Sequence, residues 1–135
     1  MLATALTGNF GMGKSFVLSV FRDLGAATLE SDRLVNTILA ERAVIARVKD
    51  LLGGDVCGPD GSLDKKRVAE KIFSDPKLRA CLEAIIHPIV LERVDEFILS
   101  VRERFPVAVI EVPLLFEGGY SNRFQKVITV FAPEE

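Results

Sequence analysis

The chain opens on a short apolar run, Leu2–Leu6, that passes at once into a glycine-rich stretch. A run of that length reads as a buried strand entering a tight loop. Phe16, Val17, Val20, Phe21 and Leu24 then recur at helical spacing, which predicts a helix over Ser15–Leu24 with Gly25 as its C-terminal stop. Ala26–Leu29 reads as a second short strand, after which Ser31 or Asp32 can cap a helix to about Glu41. Another helix is expected over Ala43–Leu52, ended by Gly53-Gly54. Gly58-Pro59-Asp60-Gly61 is a turn cluster, and Asp64 caps a short helix to about Phe73. Asp75-Pro76 reads as the start of a helix whose period persists to Phe105, and Pro88 predicts a break or kink within it. Val107–Val112 and Val127–Phe131 read as two more buried strands.

Apolar strands alternating with helices imply an α/β fold, a parallel sheet with helices on both faces. The stretch from about Asp32 to Phe105 is too long and too helical for a plain crossover. It reads as a helical insert, about 32–105, within a single domain spanning 1–135.

Composition narrows the function classes. The 135 residues are 49% hydrophobic and 27% charged, a core-forming balance. A net charge of −2 provides no broad field for nucleic acid or anionic lipid, so neither is expected as a partner. Cys57 and Cys81, with no CxxC spacing, argue against a disulfide scaffold or a zinc site and read as inert or surface thiols. No apolar run reaches membrane-span length, and the N-terminus lacks the basic region of a signal peptide, so a cytoplasmic location is expected.

The candidate chemistry lies in Gly8-Asn9-Phe10-Gly11-Met12-Gly13-Lys14-Ser15, which fits G-x-x-x-x-G-K-S between an expected strand and an expected helix. Glycines let consecutive backbone N–H groups turn inward around a phosphate, and the helix that follows directs its positive end at the same anion. Lys14 can reach the β- and γ-phosphates, the Ser15 hydroxyl can ligate Mg²⁺, and Phe16 completes the nucleotide-facing segment. The motif marks the phosphates of a nucleoside triphosphate such as ATP without separating kinases from GTPases or ATPases.

Further blocks add a resemblance. Leu6–Ser15 is similar to L-T-G-G-I-G-S-G-K-S, and Leu29-Glu30-Ser31-Asp32 stands where a D-x-D pair is found. Asp60–Lys66 is similar to D-G-x-L-D-R, Leu82–Pro88 to L-E-x-I-x-H-P, and Val112–Glu117 to a P-L-L-F-E block. In this order the blocks resemble the dephospho-CoA kinase family over nearly the whole chain. The resemblance implies a P-loop nucleotide-kinase core with a helical acceptor-binding region. It also implies Mg²⁺-dependent transfer of the γ-phosphate of ATP to the ribose 3′-hydroxyl of dephospho-CoA, the last step of coenzyme A biosynthesis.

By that resemblance Asp32 is the base or orienter at the acceptor hydroxyl; the plainer reading is a helix cap, and the two are compatible. Glu30 keeps the charge of the family's first Asp with a longer reach. Lys65 stands where the family has Arg and can meet a phosphate as a point charge without the bidentate fork. His87, the only histidine, reads as structural beside Pro88 and lining the acceptor cleft. Pro113, Leu114, Leu115 and Phe116 read as a wall of the acceptor site or as loop packing, with Glu117 facing substrate. Glu111 ends a buried strand, either as a carboxylate for the metal's water shell or as an edge-of-core acid.

The family pattern continues past a strand like Val127–Phe131 into an arginine-bearing lid and a last strand, whereas this sequence stops at Glu135. The expectation is a core without its lid and with an exposed edge that invites self-association. Two alternatives stay open at this point. One is a nucleotide-binding fragment without turnover; the other is a P-loop kinase acting on a different small molecule.

Overall fold

The computed structural model describes residues 1–8, 13–112 and 123–130. Strand β1 (Leu2–Gly8) is buried from Ala3 onward, and β3 (Val107–Glu111) from Ala108 onward. Successive strand residues point to opposite faces, so unbroken burial means that both faces of these strands are covered. They pair in parallel, from Leu2 opposite Val107 to Leu6 opposite Glu111. β2 (Ala27–Leu29) adds in parallel to β3, and β4 (Lys126–Val130) in parallel to β1. The sheet order is β2-β3-β1-β4. From β1 the chain passes to one side for β2 and β3 and to the other for β4. In parallel sheets a crevice opens at the strands' carboxyl ends where the chain parts this way.

The chain divides into two compact units, Met1–Leu34 with Leu91–Glu135, and Val35–Val90. In the first, helix α1 (Lys14–Asp23) lies against β1, β2 and β3. Leu6, Leu18 and Val109 are fully buried at its centre, with Val17, Phe21, Ile128 and Val130 packed around them. Gln125 fixes the register of β4: its N–H donates to the Ala3 carbonyl (3.0 Å), and its side-chain oxygen accepts from the Ala3 N–H (2.7 Å).

The second unit is helical. It contains most of α2 (Ser31–Leu39), α3 (Arg42–Leu52), a 3₁₀ turn (Gly54–Val56), α4 (Lys65–Phe73) and the first half of α5 (Pro76–Val101). Val44, Val48 and Leu52 are buried one turn apart along a single face of α3. Asp64 caps α4 by accepting from the Lys66 and Arg67 N–H groups. Asp75 caps α5 in the same way, accepting from Lys77 and Leu78 at 3.1 Å each.

The expected break at Pro88 is absent, because α5 runs through it without interruption. Leu82, Ile86, Val90 and Val94 are buried at four-residue spacing on both sides of the proline, so the helix is anchored before and after it. Ala84, whose carbonyl loses its partner to Pro88, is exposed, and water can serve that oxygen. Asp32 does not cap α2. The helix begins at Ser31, and the Glu30 carbonyl accepts from Leu34 N–H (3.1 Å), which places Asp32 inside the first turn. No helix among the described residues is long and apolar enough to cross a membrane.

Candidate phosphate-transfer site

Because the strands are parallel, the carboxyl ends of β1, β3 and β2 lie side by side, with Leu29 opposite Ile110 and Leu6 opposite Glu111. Gly8, Glu111 and the β2–α2 junction that carries Glu30 and Asp32 therefore share one edge of the sheet.

Gly8 ends β1 opposite Val130, and a Cβ there would overlap the Val130 carbonyl oxygen. Only glycine lets β4 approach so closely. Gly13 has φ +85°, the left-handed region that favours glycine, and its carbonyl accepts from Val17 N–H (3.1 Å) to open α1. Among the described residues no side chain caps α1, and no acidic residue stands in its first turn. Its leading N–H groups thus keep their donor capacity and positive potential for an anion. Lys14 is the first residue of α1, with its Nζ 3.6 Å from Glu111 Oε1; the two side chains are only 15% and 10% exposed. Ser15 presents an exposed hydroxyl beside it, and Phe16 is 73% exposed. Asn9, Phe10, Gly11 and Met12 lie outside the described residues, as do Pro113, Leu114, Leu115, Phe116 and Glu117.

Asp32 is exposed in the first turn of α2. Glu30 meets a partner that the sequence did not point to: its Oε1 accepts from Arg22 Nη2 (3.2 Å), while Arg22 Nε donates to Thr28 Oγ1 (3.0 Å). Arg22 and Glu30 are eight positions apart across a helix end and a strand, so no local periodicity betrays the pair. The Lys14–Glu111 pair was equally hidden by a separation of 97 positions; only the parallel register of β1 and β3 reveals it.

In the helical unit, Lys65 Nζ donates to Asn36 Oδ1 (2.6 Å), and both line a cavity of about 220 Å³ with Leu39, Ala40, Ser62 and Leu63. The Asn36 partner is a neutral amide, so this contact leaves the lysine charge unneutralised. Asp60, two residues ahead of Ser62, accepts from the Ser62 hydroxyl (2.7 Å) and N–H (3.1 Å), which hold its carboxyl below the usual value. His87 is half-buried directly before Pro88.

Among the described residues no group of three or more His, Cys, Asp or Glu could hold a metal alone. Mg²⁺ seldom uses such cages. It takes one or two protein oxygens and completes its shell with substrate phosphates and water. The Ser15 hydroxyl and the Glu111 carboxylate, both close to Lys14 in the sheet-edge arrangement, are hard oxygen donors of that kind.

A sequence model of dephospho-CoA kinase matches residues 2–135. Curated relatives of that name include one from Chlamydia felis, 39% identical over 99% of this chain and 67% of its own length. One from Moorella thermoacetica is 37% identical over 98% of this chain and 64% of its own length. The chain thus spans about two thirds of such relatives. A crystal structure of a Thermus thermophilus protein superposes with a TM-score of 0.78 at 33% identity, covering 98% of this chain and 66% of that one. The Campylobacter jejuni dephospho-CoA kinase shares the fold, with a TM-score of 0.78 at 24% identity. With G-x-x-x-x-G-K-S at the switch point of a parallel sheet and these matches along nearly its whole length, the chain belongs to the dephospho-CoA kinase family.

Proposed function

We propose that this chain transfers the terminal phosphoryl group of ATP to the ribose 3′-hydroxyl of dephospho-CoA, giving coenzyme A and ADP. The observation that carries the reading is Lys14, held at the uncapped start of α1 against a buried strand-end carboxylate. Before nucleotide arrives, Glu111 balances the lysine charge. The β- and γ-phosphates then take over that role, and the first N–H groups of α1 bind the same anion.

Ser15 and Glu111 are the residues that would hold Mg²⁺, which would supply neutralisation of phosphate charge. Asp32 accepts the proton of the 3′-hydroxyl as its oxygen bonds to the γ-phosphorus; the bond from that phosphorus to the β–γ bridging oxygen breaks, and ADP leaves with the electron pair. Lys65 meets a phosphate of the acceptor as a point charge, with His87 lining the acceptor cleft. Formation of coenzyme A from dephospho-CoA and Mg-ATP tests the reading.

Copies of the chain associate through the outer edge of β4. Among the described residues β4 pairs with β1 alone, which leaves its other row of backbone groups as the kind of edge that recruits another strand.

A further inference from the structure

Arg22 lies in the last turn of α1, the helix that Lys14 begins. Its backbone closes that helix, since Gly25 N–H donates to the Arg22 carbonyl (3.0 Å). Its side chain leaves the helix altogether: Nε donates to Thr28 Oγ1 in β2 (3.0 Å) and Nη2 to Glu30 Oε1 just beyond that strand (3.2 Å). Glu30 in turn is the residue whose carbonyl receives the first α2 bond, from Leu34 N–H (3.1 Å), and Asp32 sits within that turn. One guanidinium thus ties the helix bearing the phosphate-binding lysine to the turn bearing Asp32.

The arrangement needs this residue set. A guanidinium offers several donors in a planar fork and can serve a hydroxyl and a carboxylate together, which a lysine ammonium does less rigidly. Glutamate at position 30 has one methylene more than aspartate, which extends its reach toward α1. The pair is half-exposed, with side chains 53% and 34% accessible, so its contribution to global stability is small. A small global contribution together with direct attachment to the Asp32 turn is the signature expected of a contact that sets geometry. Displacing a reacting group by about 1 Å can cost up to about 100-fold in rate, far more than such a pair contributes to folding.

We infer that Arg22, through Thr28 and Glu30, is a positioning residue for Asp32, holding its turn at a fixed distance from the phosphate-binding helix. The inference rests on the reading of Asp32 as the group that takes the hydroxyl proton. Two readouts test it on the whole chain. In amide hydrogen exchange, Arg22→Met and Glu30→Gln each reduce protection of the Leu34 N–H about threefold, with β1 amides unchanged. In steady-state turnover, Arg22→Met lowers kcat about 10-fold with KM for ATP within twofold, and Arg22→Lys recovers part of the loss. In an Asp32→Asn background the same substitution leaves the residual rate unchanged, because the group being positioned is gone. An equal fall in both backgrounds, or unchanged kcat in the parent background, overturns the inference, as does unaltered Leu34 exchange. Full turnover by Asp32→Asn alone instead overturns the reading of Asp32. The exchange result still decides whether the clamp orders the turn, also for a preparation that does not turn over.

Discussion

Asp32 is exposed in the first turn of α2 and shares the sheet edge with Lys14 and Glu111, so its carboxylate is available to a hydroxyl without unfolding anything. Asp32→Asn should leave ATP affinity within about twofold and cut kcat by about 10²–10⁴, the usual worth of a positioned general base. Isothermal titration and turnover measured on the same preparation check both halves; an unaffected kcat would remove the residue from the chemistry. At this scale the sequence was informative where a motif compresses several roles into adjacent positions, as in Gly13-Lys14-Ser15. It was silent where partners are distant. Glu111 could be read as a metal-shell acid or a core-edge acid, and only its 3.6 Å approach to Lys14 brings it to the motif lysine. Arg22 is not legible in the sequence, since nothing in a surface arginine near a helix end announces a contact with β2.

Elements follow local rules closely where caps and glycines dictate them. α4 and α5 begin where Asp64 and Asp75 accept the first N–H groups, as the residue order Asp-Lys and Asp-Pro implies. No break occurs at Pro88, where four buried apolar residues at four-residue spacing outweigh the lost hydrogen bond. A proline inside a helix costs about 3 kcal/mol, so Pro88→Ala should stabilise the chain by about 1–3 kcal/mol. Urea denaturation checks this, and a loss of stability would show that the proline shapes α5 in a way the rest of the fold needs. A second element-scale contact joins α4 to the end of α3. Lys71 donates to the Leu52 carbonyl and to Asp55 Oδ1 (2.6 Å), and that hydrogen bond holds the Asp55 carboxyl below its ordinary value. A carboxyl with a depressed folded value adds stability above its unfolded pKa of about 4, and that contribution fades as pH falls through the folded value. Asp55→Asn should therefore lower the urea midpoint slightly at pH 7 and leave it nearly equal to the parent at pH 3. An equal deficit at both pH values would contradict the pairing.

At the scale of the molecule, the alternation of apolar strands and helices sufficed to imply a parallel α/β sheet, because β1 and β3 are buried on both faces and so carry continuous apolar sequence. Strand order was not legible: β3 lies between β1 and β2 although 77 residues separate Leu29 from Val107, and contact across such a span leaves no local trace. The exposed side of β4 is expected to draw copies together, and Val127→Lys should abolish concentration-dependent sedimentation; sedimentation unchanged by that substitution would move any association elsewhere. The most direct test of the whole account is mass spectrometry of dephospho-CoA incubated with Mg-ATP and the 135-residue chain, beside its Lys14→Ala variant. The account predicts a product heavier by one phosphoryl group with the parent chain and none with the variant. Equal product from both, or phosphorylation of other hydroxyl acceptors in preference to dephospho-CoA, would contradict it.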